Sequence, residues 1–155
     1  MKKAITITAA LMLITAPALA DIESIISYYN TNTVLTSATK LSGEPEIREH
    51  DGKTDYDFRI TDNVIVSISA KDDRIRVCSV ICRDEAETAE FLAQCAASAS
   101  TVVGFDNTYY TYADILDMFL QIRAGETPGQ RSIASVSTVY QMTKESFGYL
   151  FMIAR

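Results

Sequence analysis

Apolar and polar positions change their spacing along this chain, and each change marks an element. Ile22, Ile25, Ile26 and Tyr29 recur every three or four residues. That spacing predicts a helix over 21–30, fading at the Asn30-Thr31-Asn32-Thr33 run. Residues 34–41 follow no clear period. Beyond Gly43-Glu44-Pro45 the period drops to two. Glu46–His50 leads into Asp51-Gly52, a two-residue hairpin signal. Asp55–Ile60 sets Tyr56, Phe58 and Ile60 against Asp55, Asp57 and Arg59. Asp62-Asn63 predicts a turn. Val64–Ala70 then sets Val64, Val66, Ile68 and Ala70 against Ile65, Ser67 and Ser69. After a third turn at Lys71-Asp72-Asp73, Arg74–Ile81 sets Ile75, Val77 and Ile81 against Arg74, Arg76, Cys78 and Val80. The pattern predicts a four-stranded meander, covered on one face and wet on the other.

Helical spacing returns at Asp84, with Glu85 and Glu87 placed to favour a helix N-terminus. The predicted apolar stripe is Ala89, Leu92, Cys95, Ala96 and Ala99. A further helix is expected from Thr111, where Asp114 completes a pattern close to a capping box. Its expected buried stripe is Tyr112, Ile115, Leu116, Phe119 and Ile122, and Gly125 stops it. A polar loop over 124–131 leads to two strands, Ser132–Met142 and Phe147–Ala154, joined through 143–146. The last strand is apolar on both faces. It lies either between two layers or at an interface with another protein, a homodimer being one possibility. The order of elements predicts an α+β fold: an antiparallel sheet, meander plus C-terminal hairpin, with helices packed on one face.

The first twenty residues follow another pattern. Met1-Lys2-Lys3 is basic, Ala4–Thr15 is uncharged and mostly apolar, and Pro17-Ala18-Leu19-Ala20 ends in an Ala-x-Ala motif. This is the form of a cleavable secretory signal. It is shorter than the roughly 20 apolar residues of a membrane span. The expectation is a signal over 1–20, a single domain over 21–155, and a location in the periplasm of a Gram-negative bacterium or outside the cell. Loss of Lys2 and Lys3 with the leader takes the formal net charge from −6 to −8. Such a charge argues against nucleic acid and against an anionic membrane surface as partners.

Export also changes the meaning of Cys78, Cys82 and Cys95, since exported thiols tend to pair. Folding the helix back over the strand before it brings Cys95 above Cys78. The expected disulfide is therefore Cys78–Cys95, with Cys82–Cys95 as the alternative; the third thiol is free or pairs between chains. The Cys-x3-Cys spacing is not the Cys-x-x-Cys of thiol oxidoreductases, and no histidine stands near to complete a zinc set. His50, the single histidine, falls at a hairpin tip and reads as a solvated turn residue.

Acids are plentiful, among them Asp55, Asp57, Asp62, Asp72, Asp73, Asp84, Glu85, Asp106, Asp114 and Asp117. They fall on an outer strand face, in turns or at helix starts, and read as solvated. The sequence holds no EF-hand spacing and no phosphate-cradling glycine loop. No catalytic residue, metal or cofactor is expected. A possible binding surface is aromatic: Tyr109, Tyr110, Tyr140, Tyr149 and Phe151.

Gly43-Glu44-Pro45-Glu46-Ile47, followed by Asp51-Gly52, an aromatic strand and two cysteines late in the meander, resembles the opening of YbjN-type domains. Those are similar in fold to type III secretion chaperones. The resemblance covers Ile22 to Ala99 and implies a protein-binding, often dimeric module without catalysis. The residues thus point to an exported protein-interaction module: a chaperone-like adaptor, or an inhibitor or immunity protein. Its partner would be another envelope or secreted protein. The alternatives are a hydrolase of the cell envelope using carboxylates alone, and a carrier of small ligands.

Overall fold

The computed structural model describes residues 21–103, 108–126, 131–133 and 138–155, with the side chains of 108–111, 131–133, 138 and 139 left aside. The expected export signal lies outside these residues. Helix α1 spans Ile22–Thr36, six residues beyond the sequence expectation. Asp21 caps it, accepting a hydrogen bond from the Ser24 amide at 2.8 Å. The polar run does not end the helix, because its side chains find partners. The Asn30 amide clasps Leu41, donating to its carbonyl at 2.9 Å and accepting from its N–H at 2.7 Å. The Thr31 and Thr33 hydroxyls donate to carbonyls three residues back. Asn32 and Thr33 are buried.

The meander follows as β1 (Glu46–His50), β2 (Lys53–Arg59), β3 (Val64–Lys71) and β4 (Arg74–Cys82). Asp51 and Gly52 both take positive φ, 49° and 70°, as a type I′ turn demands. Asp72 and Asp73 do the same at the β3–β4 turn. After a single 3-10 turn at Glu85–Glu87, capped by Asp84, come α2 (Thr88–Val103) and α3 (Thr108–Arg123). The chain closes with β5 (Arg131–Ile133), β6 (Thr138–Glu145) and β7 (Gly148–Ala154). The seven strands form one sheet in the order β1-β2-β3-β4-β7-β6-β5, with every pairing antiparallel. The fold is α+β.

The meander holds one irregularity. Ser69 pairs with Val77 and Ala70 with Ile75, so Arg76 is an extra residue on β4. The bulge reverses the strand's alternation. Ile75 is buried before it, and Cys78, Val80 and Cys82 after it. Cys78 and Val80 therefore face the core rather than solvent, and Val77 and Ile81 turn outward.

One core fills the space between sheet and helices. Helix α2 packs on β3, β4 and β7, with α1 and α3 flanking it. Every residue from Phe91 to Val102 is buried. A helix buried all round needs small side chains where neighbours approach, and α2 supplies alanines and serines over 96–100. Phe91, Phe119 and Tyr149 form an aromatic cluster with ring centroids 5.1–6.4 Å apart. Helix α3 buries Ile115, Met118, Phe119 and Ile122. It starts at Thr108, so Thr111 and Asp114 lie inside it and form no capping box. Gly125 ends the helical run with φ 85°.

Candidate functional site

The expected disulfide is not formed. Cys78, Cys82 and Cys95 are free thiols, each fully buried between β4 and α2. The bulge at Arg76 turns Cys78 inward, and all three pack as small apolar side chains. Burial raises each thiol pKa above its ordinary value, most strongly at Cys78 and Cys95. Cys82 also donates through sulfur to the Asp84 carbonyl at 3.1 Å.

The expected aromatic surface is corrected in the same way. Tyr140, Tyr149 and Phe151 are buried at 1 %, 2 % and 0 % exposure. They point to the helix-covered side of β6 and β7. The Tyr140 hydroxyl donates to Asp114 at 2.5 Å, and Tyr149 to Glu85 at 2.8 Å. The side chains of Tyr109 and Tyr110 lie outside the described residues. His50 is exposed at the end of β1, its ring nitrogen 3.7 Å from Asp55.

Two surface features among the described residues bear on function. The first is on α3. Tyr112, Leu116 and Leu120 are 40 %, 36 % and 53 % exposed. They are spaced i, i+4, i+8 and form a second apolar stripe beside the buried one. The sequence reading merged the two stripes, placing Tyr112 and Leu116 in the core and passing over Met118.

The second feature is the outer face of the sheet, where no helix packs. The strand register builds it in rows. Arg48, Asp55, Ser69 and Val77 form one row. Glu46, Asp57, Ser67, Ser79 and Met152 form the next. Arg59, Ile65, Ile81 and Leu150 form a third, with Arg83 just past the end of β4. A groove of about 540 Å³ lies over the β1–β4 part of these rows, lined by Glu44, Glu46, Arg48, Asp57, Arg59, Ile65, Ser67, Ser79, Ile81 and Arg83.

The sequence led us to expect Asp55 and Asp57 to be freely solvated; they are not. Asp55 accepts from the Ser69 hydroxyl, and its side chain is 15 % exposed. Asp57 pairs through one oxygen with Arg48 at 2.5 Å. Its other oxygen, Oδ1, is inaccessible and has no hydrogen-bond partner. Among the described residues Arg59 and Arg83 form no ion pair. Among the described residues no three His, Cys, Asp or Glu side chains gather to hold a metal, and no helix of the described residues is long and apolar enough to cross a membrane.

Sequence reasoning also missed a polar seam between α1 and α2. The Tyr29 hydroxyl donates to Gln94 Oε1 at 2.8 Å and lies 3.1 Å from the Ser98 hydroxyl. Gln94 in turn donates to the Thr39 carbonyl and to Glu90, both at 2.7 Å. Its only sequence signal was polar residues inside otherwise apolar helical stripes. Comparison of the chain with protein-family models, with curated proteins and with solved structures finds no match.

Proposed function

We propose that the chain is an exported, non-catalytic protein-interaction module of the bacterial envelope, of the chaperone-like adaptor or inhibitor kind. The observation that carries this reading is the stripe Tyr112, Leu116 and Leu120. A helix whose opposite face already fills the core has no folding reason to expose three large apolar residues in a row. Such a row, at i, i+4 and i+8, is what a helix offers to the apolar groove of a partner. The leader-like N-terminus and the acidic charge support an envelope location and a partner with a basic rim. The resemblance of Gly43-Glu44-Pro45-Glu46-Ile47 and Asp51-Gly52 to YbjN-type domains supports the same class.

The test is capture from bacterial envelope extracts by the protein lacking residues 1–20, beside a Leu116→Glu/Leu120→Glu variant. A defined partner should be retained by the parent and lost by the variant, with circular dichroism and melting temperature unchanged. Equal capture by both proteins would refute the role of the stripe. Steady hydrolysis of a cell-wall substrate by the purified protein would replace the reading with the carboxylate hydrolase.

A further inference from the structure

The groove on the outer face separates its charges. Glu46 and Asp57 stand directly opposite each other on β1 and β2. Like charges in that position repel unless a cation lies between them. Arg48 answers this at Asp57, engaging Oδ2, while Oδ1 is inaccessible, so the carboxylate left open to the groove is that of Glu46. One row along the strands the sign reverses. Arg59 and Arg83 approach the groove without a carboxylate partner among the described residues, and guanidinium forks are shaped for carboxylates. The Ser67 and Ser79 hydroxyls lie side by side on the floor and form no hydrogen bond to the described residues.

The spacing of the rows sets the size of what fits. Side chains two residues apart on one strand face lie about 6.6 Å apart. A single amino acid brings its ammonium and carboxylate closer than that. An extended dipeptide spans about 7 Å between its ends. A groove of about 540 Å³ is within the range that holds such a ligand.

We propose that this groove binds short zwitterionic peptides of dipeptide length, with the ammonium at Glu46 and the carboxylate at Arg59 and Arg83. The apolar floor of Ile65 and Ile81 receives a small side chain. This site is separate from the stripe on α3 and does not depend on a protein partner.

The experiment is titration of the ¹⁵N-labelled protein with Ala-Ala, N-acetyl-Ala-Ala, Ala-Ala-amide and alanine. Ala-Ala should shift the amide resonances of 57–59, 65–67 and 79–83. Each capped form should bind about tenfold more weakly or worse, having lost one charge-assisted contact. Arg59→Gln/Arg83→Gln should abolish the response and Glu46→Gln weaken it, without changing the melting temperature. Either capped form binding as tightly as Ala-Ala would overturn the proposal, as would Ala-Ala binding unchanged in the double arginine variant. So would no response to Ala-Ala at about 10 mM, beyond the millimolar range of weak sites. Failure here leaves the α3 reading standing, because Leu116 and Leu120 line no part of the groove.

Discussion

The two faces of one sheet obey different rules in this protein. The inner face carries Phe58, Val66, Ile68, Cys78, Val80, Tyr149, Phe151 and Ile153, all closed off from solvent. The outer face of the same strands carries serines, arginines and acids with a few half-exposed aliphatic residues. Strand β7 shows the contrast best. Its sequence is apolar throughout, yet only Tyr149, Phe151 and Ile153 are buried, whereas Leu150 and Met152 are half-exposed. The strand thus has one packed layer rather than two. Apolar composition alone does not say how many sides of a strand are covered; the partners on each side do.

Substitutions on each face test this contrast. Phe151→Ala should destabilise the fold by about 3–5 kcal/mol, as expected for a large aromatic removed from a closed core. The measurement is chemical denaturation, and a loss below about 1 kcal/mol would mean that the inner face is loosely packed. Gly148→Ala should follow at about 1–3 kcal/mol. Its φ is 133°, and an added Cβ would stand 2.0 Å from the Cys82 carbonyl oxygen. Tyr29→Phe should remove about 1–2 kcal/mol by leaving Gln94 and Ser98 short of a partner in the buried α1–α2 seam. Ser79→Ala on the outer face should change stability by no more than about 0.5 kcal/mol. An effect as large as that of Phe151→Ala would erase the distinction between the faces.

The thiols allow a pH test of the inner face. Burial raises the folded pKa of Cys78, Cys82 and Cys95. Above about pH 8.5, the ordinary thiol value, the unfolded chain loses protons that the folded chain keeps. Stability should therefore be level below that point and fall as pH rises through the alkaline range. Denaturation midpoints compared near neutrality and near about pH 9.5 will show this, and Cys78→Ala should flatten the slope. In the native protein all three thiols should resist alkylation at about pH 8 and react once the chain unfolds.

Much of this architecture could be read from the sequence, and the failures share a cause. Alternation and the Asp51-Gly52 turn located β1 to β4 because strand period and turn chemistry are local properties. The bulge at Arg76 left no local mark. It changed the faces of Cys78 and Val80. Helix α1 ran past Asn30 because Leu41 supplied partners eleven residues away. Tyr112 and Leu116 were read as core because one sequence cannot tell an apolar stripe that meets a neighbour from one that meets solvent. Tyr140 and Tyr149 were read as surface for the converse reason: their hydroxyls find Asp114 and Glu85, which are remote in sequence. The outer-face groove was not foreseen, since it arises from the register of four strands, and register depends on pairing rather than on any one segment.

The pairing of β4 with β7 has a consequence for the order in which the molecule can be made. Cys82 and Gly148 flank the central seam of the sheet, yet 65 residues lie between them. Strand β7 leaves the ribosome, or a translocation channel, long after β4 and α2. Until it arrives, β4 is an open edge, and Phe91 and Cys95 on α2 lack part of their cover. The early part of the chain can thus form its meander but cannot close its core. A chain cut short before Gly148 would keep that edge exposed and be prone to aggregate.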